Sequence, residues 1–126
     1  MKLTHPTDQE LSAAVAEKVA GWYLDKNGCC YPSKESHDSE TFSGGWPLPP
    51  FATSADAVLL LLEKHPHWEI GSYVGANHSR RYVCRIWRHE LIENRLREMP
   101  LMEYGSTFAR CACLALLRAH GIEVVE

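Results

Sequence analysis

The chain of 126 residues lacks the long hydrophobic run that a membrane-spanning helix requires. Its longest uninterrupted apolar segment covers residues 111–117, whereas a helical span needs about 20 apolar residues. Residues 1–10 also lack the apolar centre of a secretory signal. We therefore expect a protein that has no contact with a membrane and stays in the cytosol.

The cysteines lack the regular spacing of a disulfide framework or of a zinc site. There are five, an odd number, and a cytosolic chain keeps such thiols reduced. Cys29 and Cys30 are adjacent, with His37 nearby, and adjacent cysteines are poor joint ligands of one ion. Cys111 and Cys113 would point about 200° apart on a helix. We expect no metal and no other cofactor.

No catalytic motif stands out in the sequence. Cys84 with His78 or His89 would be the nearest approach to a thiol nucleophile and its base, but no residue pattern supplies an orienting group or an oxyanion hole. His65 and His67 flank a proline and lack a third ligand for a metal. We therefore predict that the protein is not an enzyme, and a small metal- or thiol-dependent enzyme is the least favoured alternative.

The net charge of the chain is small, but the charged residues are unevenly distributed along it. The net charge is −3, yet residues 80–97 contain six arginines and two glutamates, a local charge of +4. Arginine binds carboxylate and phosphate groups with two parallel hydrogen bonds. The acidic balance of the whole chain disfavours binding of duplex nucleic acid.

Helical periodicity and capping signals indicate three main helices and one short one. Thr7 and Glu10 form a capping box before the first helix. The predicted helices run from Asp8 to about Gly21 or Tyr23, from a cap at Thr53 or Ser54 to a point before Pro66, over 89–99, and from Thr107 to His120 after a cap at Ser106.

Alternating apolar residues predict a β-hairpin over 68–87. Its strands cover 68–74 and 80–87, joined by a five-residue loop that contains Gly75 and Asn77. Residues 122–125 favour a further short strand, and the Pro- and Gly-rich segment 24–50 is predicted to be a long loop. Four aromatic residues are expected to anchor the elements to the core: Trp22, Trp46, Trp68 and Phe108.

Four segments resemble the bacteriophage proteins that contain an ABA-sandwich domain. These are ELSAAVAEKVAGW, PPFATSADAVLLLLEK, WEIGSYV and FARCACLALLRAHG. The resemblance implies an α+β fold, namely a three-layer α/β/α sandwich with a small antiparallel sheet built on hairpin 68–87 and flanking helices. It also implies a phage or prophage origin, but no activity. The length of the chain separately predicts a single domain over 1–126. The long segment 24–50 and the arginine-rich segment 88–99 depart from the family.

Arginine and tryptophan on the second hairpin strand form the candidate binding surface. Arg81, Arg85 and Trp87 share one face of that strand, and such a face can meet an acidic protein surface or stack on a base and hold a phosphate. If both faces of the sheet are covered, the same residues would instead form an internal network of arginine and glutamate. The predicted surface comprises Arg81, Arg85, Trp87, Arg88, Arg95 and Arg97.

From these features we expect a small phage or prophage accessory protein that binds a host or phage protein without catalysis. A host defence or regulatory component is the favoured partner. The alternative is a binder of an anionic, nucleotide-type small molecule through the arginine and tryptophan face. Homo-oligomerisation is left open.

Overall fold

A computed structural model describes residues 2–38, 45–65, 67–92 and 95–125, with side chains for all of these except 88–102. It shows the predicted α+β class. The helices in these ranges are α1 (Asp8–Lys18), α2 (Lys34–Asp38), α3 (Ala55–Leu62) and α4 (Phe108–Ala119). The strands are β1 (Lys2–Thr4), β2 (Tyr23–Leu24), β3 (Cys29–Tyr31), β4 (Trp46–Pro47), β5 (Trp68–Val74), β6 (Arg80–Ile92), β7 (Arg95–Gly105) and β8 (Glu123–Val125).

Helices α1, α3 and α4 begin where the capping signals predict, within one residue. The Thr7 side chain accepts a hydrogen bond from the Glu10 amide, and the Thr7 amide donates to the Glu10 carboxylate, both at 3.1 Å. Ser54 caps α3, and α4 is capped by Thr107, where the sequence favoured Ser106. The predicted extension of α1 to Gly21 or Tyr23 is wrong. Helix α1 ends at Lys18. Gly21 has a left-handed backbone with φ 76°, which does not continue a helix, and Tyr23 pairs with Tyr31 in a strand.

In the described ranges the strands form three separate sheets. Strands β1 and β8 pair in parallel, and β2, β3 and β4 form a small antiparallel sheet. Apart from Tyr23, this second sheet lies within 24–50, and so does α2. The prediction of an irregular loop there is therefore wrong for the described residues; 39–44 lie outside them. Strands β5, β6 and β7 form the third and largest sheet, which is antiparallel throughout.

The hairpin of β5 and β6 is confirmed, but the helix predicted over 89–99 is wrong. Strand β6 continues to Ile92, and β7 begins at Arg95 and pairs with it, with Leu91 opposite Leu96. The apolar residues of this segment fit a helical spacing and a paired ribbon equally well. The strand is decided by the pairing of β6 with β7 along its whole length, which local periodicity cannot reveal.

Helix α4 lies at the centre of the core. It packs against β6 and β7, and also against α1 and α3. Eight of its residues are buried: Ala109, Cys111, Ala112, Cys113, Leu114, Ala115, Leu116 and Leu117. Among the described residues, α1 packs mainly against α4 and β2, and α3 packs mainly against α4; neither packs mainly against β5–β7. A three-layer order with the sheet in the middle is therefore not confirmed.

The four predicted anchor residues are all half-buried. Trp22, Trp68 and Phe108 pack against the main core. Trp46 packs on Trp22, with ring centroids 5.3 Å apart and an interplanar angle of 87°. This edge-to-face contact fixes the small sheet to the segment that follows α1.

Candidate functional site: the open face of the large sheet

The two faces of β6 differ sharply in burial. Cys84 and Ile86 are completely buried and face α4, because alternate side chains of a strand lie on the same side. On the other side of the strand, Arg81 is exposed, and Val83, Arg85 and Trp87 are half-buried. We call this side the open face; it comprises His67, Glu69, Gly71, Tyr73, Arg81, Val83, Arg85, Trp87 and Tyr104.

Two tyrosines meet on the open face across the central strand. Tyr73 lies on β5 opposite Arg81, and Tyr104 lies on β7 opposite Val83. Their ring centroids are 6.3 Å apart with an interplanar angle of 88°, an edge-to-face arrangement. The exposed fractions are 39 % for Tyr73 and 50 % for Tyr104. The pair thus presents a large aromatic surface to solvent in a fixed geometry.

The two predicted arginines on this face have different surroundings. Arg85 donates a hydrogen bond to the carboxylate of Glu69, its cross-strand neighbour, which neutralises its charge locally. Arg81 is exposed, and its side chain has no hydrogen bond or ion pair with any other residue in the described part of the chain. Its guanidinium is therefore available to an incoming carboxylate or phosphate.

A shallow cleft of about 160 Å³ adjoins Arg81 and is also lined by Tyr104, Gly105, Ser106 and Arg110. Arg110 points away from a ligand, because its guanidinium donates to the Asp8 carboxylate at 2.7 Å and to the Pro6 carbonyl at 2.9 Å. The cleft therefore extends the open face past the end of β7 and contributes Arg81 as its available cation.

Trp87, the third predicted residue of this strand, forms the other end of the open face. Its indole stacks on the His67 imidazole, with centroids 4.0 Å apart and planes within 9° of parallel. The Trp87 amide also donates to the His67 carbonyl at 3.2 Å. One face of the indole is thus covered by the chain itself.

The structure brings Arg81, Arg85 and Trp87 onto one face, as the alternation predicts. Arg88 lies on β6, and Arg95 and Arg97 lie on β7, but their side chains are outside the described residues. Tyr73 and Tyr104 were not among the residues predicted from the sequence. Strand alternation gives a signal for Tyr73, whereas Tyr104 follows Pro100 in a segment that showed no strand pattern.

The geometry gives no support to thiol catalysis at Cys84. Burial raises the pKa of the Cys84 thiol to about 12, that of Cys111 to about 11 and that of Cys113 to about 12. A thiol must ionise to act as a nucleophile, so these three groups are inert near neutral pH. They belong to the packing around α4.

His65 and His67, which flank Pro66 in the sequence, have different neighbours in the structure. His65 lies against His120, with centroids 5.7 Å apart, and burial together with that neighbour lowers the pKa of His65. His67 stacks on Trp87 instead. Within the described ranges, no three His, Cys, Asp or Glu side chains come together as a metal site requires.

The chain matches no family model, no curated protein and no solved structure. None of the helices in the described residues combines the length and apolar character needed to cross a bilayer. Any functional assignment therefore rests on the open face itself.

Proposed function

We propose that this protein acts by non-catalytic binding of another protein through the open face of its large sheet. The observation that carries the proposal is the exposed Tyr73–Tyr104 pair beside the available guanidinium of Arg81. Tyrosine, tryptophan and arginine dominate the binding energy of protein interfaces. Tyrosine also provides a large contact area at a small entropic cost.

The charges of the face define the partner surface. Glu69 is already paired with Arg85, so among the side chains that the structure describes on this face, Arg81 carries the uncompensated charge. A partner that fits would place a carboxylate against Arg81 and apolar or aromatic groups against the two tyrosines. The resemblance to phage ABA-sandwich proteins suggests the finer points: a three-layer fold, a phage or prophage origin, the host cytosol as compartment and a host defence or regulatory protein as partner.

An anionic, nucleotide-type ligand is the less supported alternative. The cleft beside Arg81 has a volume of about 160 Å³, whereas small-molecule sites usually enclose roughly 300 Å³ or more. The guanidinium of Arg110 at its margin is engaged by Asp8 and Pro6. A flat aromatic surface with one available cation suits a protein partner better than a nucleotide.

The test is affinity capture from the host cytosol with matched surface variants. Arg81→Glu and the double variant Tyr73→Ser, Tyr104→Ser alter the open face. Leu60→Ser is the control, because Leu60 on α3 is 66 % exposed and lies outside that face. We expect one host protein to be retained by the natural chain and by Leu60→Ser, and to be lost from both open-face variants.

The variants must keep the melting temperature of the natural chain, since all the substituted side chains are exposed. Identical capture by every variant would refute the role of the open face. A panel of nucleotides measured by thermal unfolding separates the alternative, which requires a rise in melting temperature that Arg81→Glu removes.

A further inference from the structure

The large sheet has two edges, β5 and β7, with different sequence properties. Strand β7 contains Pro100, Arg95 and Arg97, and proline and charge are the features by which proteins keep sheet edges from pairing. Strand β5, WEIGSYV, contains no proline, lysine or arginine. Its register with β6 is unbroken from Trp68 to Val74, without a bulge.

The backbone of β5 directs a regular set of hydrogen-bonding groups away from β6. The Trp87 amide donates to the His67 carbonyl, and the Gly75 amide donates to the Ser79 carbonyl. His67 and Gly75, at the two ends of β5, therefore face β6 with their backbone hydrogen-bonding groups. Every second residue of an antiparallel strand does the same, so the odd-numbered residues of β5 bond to β6. The even-numbered residues turn outward, and no strand in the described part of the chain pairs with them: Trp68, Ile70, Ser72 and Val74.

We propose that β5 pairs antiparallel with β5 of a second copy of the chain, across a twofold axis at Gly71. This register sets Ile70 opposite the partner's Ser72 and Trp68 opposite the partner's Val74. Only outward-directed residues then exchange hydrogen bonds, and each such pair exchanges both its N–H···O bonds. The two three-stranded sheets become one continuous sheet of six strands.

The side chains of β5 are complementary to themselves in this register. Val74, which is 57 % exposed, lies beside the partner's Trp68, and aromatic with β-branched pairs are favourable across strands. Glu69, the sole charged residue of β5, lies opposite the partner's Tyr73, so no like charges face each other. Gly71 places no side chain at the axis. This self-complementarity favours a second copy over a different strand.

The pairing goes beyond the proposed function and leaves most of that site accessible. The pairing uses the backbone edge of β5, whereas Arg81 and Tyr104 lie on β6 and β7, away from that edge. The two open faces would lie on the same side of the joined sheet. Loss of the dimer and loss of partner binding are therefore separable outcomes.

The first test is the mass of the protein in solution, measured by sedimentation or light scattering. We expect the natural chain to have twice its monomer mass of 14.3 kDa. The variant Ser72→Lys, Val74→Lys places lysines along the edge and should give the monomer mass. The control Thr53→Lys, Leu60→Lys changes equally exposed positions near α3 and should remain dimeric, as should Arg81→Glu.

A monomeric natural chain at millimolar concentration would overturn the proposal. So would a dimer that survives the lysines on β5.

The second test examines the register by oxidative crosslinking. In the proposed dimer the two Gly71 residues face each other in a non-hydrogen-bonded pair, whose Cα atoms are about 4.5 Å apart, within the range that a disulfide spans. A β-carbon on Gly71 would be 3.8 Å from Val83 Cγ1, so a side chain fits. We expect Gly71→Cys to crosslink into dimers on a non-reducing gel.

Two controls make the crosslink specific. Ser72 lies opposite the partner's Ile70, so two Ser72→Cys chains would hold their new thiols on a diagonal beyond disulfide reach. The natural chain, with its five cysteines, reports crosslinking by native thiols. Crosslinking of Ser72→Cys in place of Gly71→Cys would refute the register.

Discussion

Gly105, the last residue of β7, lies directly against the backbone of Cys111 in α4. A β-carbon on Gly105 would be 2.8 Å from the Cys111 Cα and 2.9 Å from its amide nitrogen. Both residues are buried, and no flexible side chain is available to move aside. The absence of a side chain at Gly105 therefore sets how closely α4 approaches the large sheet.

We predict that Gly105→Ala lowers the free energy of unfolding by about 1–3 kcal/mol, the usual cost of overpacking a rigid site. The control is Gly71→Ala, where the nearest atom to the new β-carbon is Val83 Cγ1 at 3.8 Å. The free energy of unfolding of this second variant should lie within about 1 kcal/mol of that of the natural chain, the whole range of strand propensities. Urea denaturation measures both, and equal losses would show that the close approach is unimportant.

Ser12 connects α1 to the segment before α3 through a buried hydrogen bond. Its hydroxyl accepts from the Ala52 amide at 3.0 Å, and both residues are almost fully buried. Ser12→Ala leaves that amide without its partner, so we expect a loss of about 1–3 kcal/mol. Ser72→Ala removes an exposed hydroxyl that accepts from Arg80 and should cost under about 0.5 kcal/mol. An unchanged denaturation midpoint for Ser12→Ala would contradict the expectation.

Arg110 joins the first turns of α1 and α4. Its side chain is only 17 % exposed and binds both the Asp8 carboxylate and the Pro6 carbonyl. We expect Arg110→Lys to lower the melting temperature by several degrees, because an ammonium lacks the planar fork that reaches two acceptors. The comparison is Arg118→Lys, whose exposed pair with Glu103 contributes under about 1 kcal/mol. Similar melting temperatures for the two variants would refute this role of Arg110.

We expect the buried thiols to make the folded chain less stable in alkaline solution. The folded chain holds the thiols of Cys84, Cys111 and Cys113 neutral, with pKa values of about 12, 11 and 12 against an ordinary value of 9.0. Above pH 9 the unfolded chain releases protons that the folded chain retains, so the free energy of unfolding falls as pH rises from 9 towards 12. Each thiol contributes at most about 1.4 kcal/mol per pH unit.

Urea denaturation of the natural chain and of Cys113→Ala at pH 8 and pH 10 measures this slope. Cys113→Ala should show a smaller fall between the two pH values, because one titrating group is gone. If both chains lose the same stability, the thiols are not the cause.

Local rules correctly predicted several elements. The Thr7–Glu10 capping box, the Ser54 cap and the hairpin of β5 and β6 are present as expected, because each depends on residues close together in the sequence. The same rules failed over 89–99. There the choice between helix and strand depends on pairing between β6 and β7, and apolar spacing alone does not distinguish the two.

The candidate site was predicted only in part, because it too depends on contacts between residues that are far apart in the sequence. Strand alternation placed Arg81, Arg85 and Trp87 on one face, but it does not reveal whether that face is covered. Nor does it show that Glu69 neutralises Arg85 or that His67 covers one side of Trp87. These facts depend on which strands become neighbours.

The sequence by itself determined the class of the fold, the starts of α1, α3 and α4, and the alternation along the central hairpin, since these follow from interactions within a few residues. Only the tertiary structure decided that α4 occupies the centre, that its thiols are sealed from water, and that Tyr73 and Tyr104 meet across β6. The physical reason is that burial and long-range strand pairing involve residues far apart in the chain. The energies of burial and of strand pairing depend on the whole assembled core, so a local sequence pattern does not predict them.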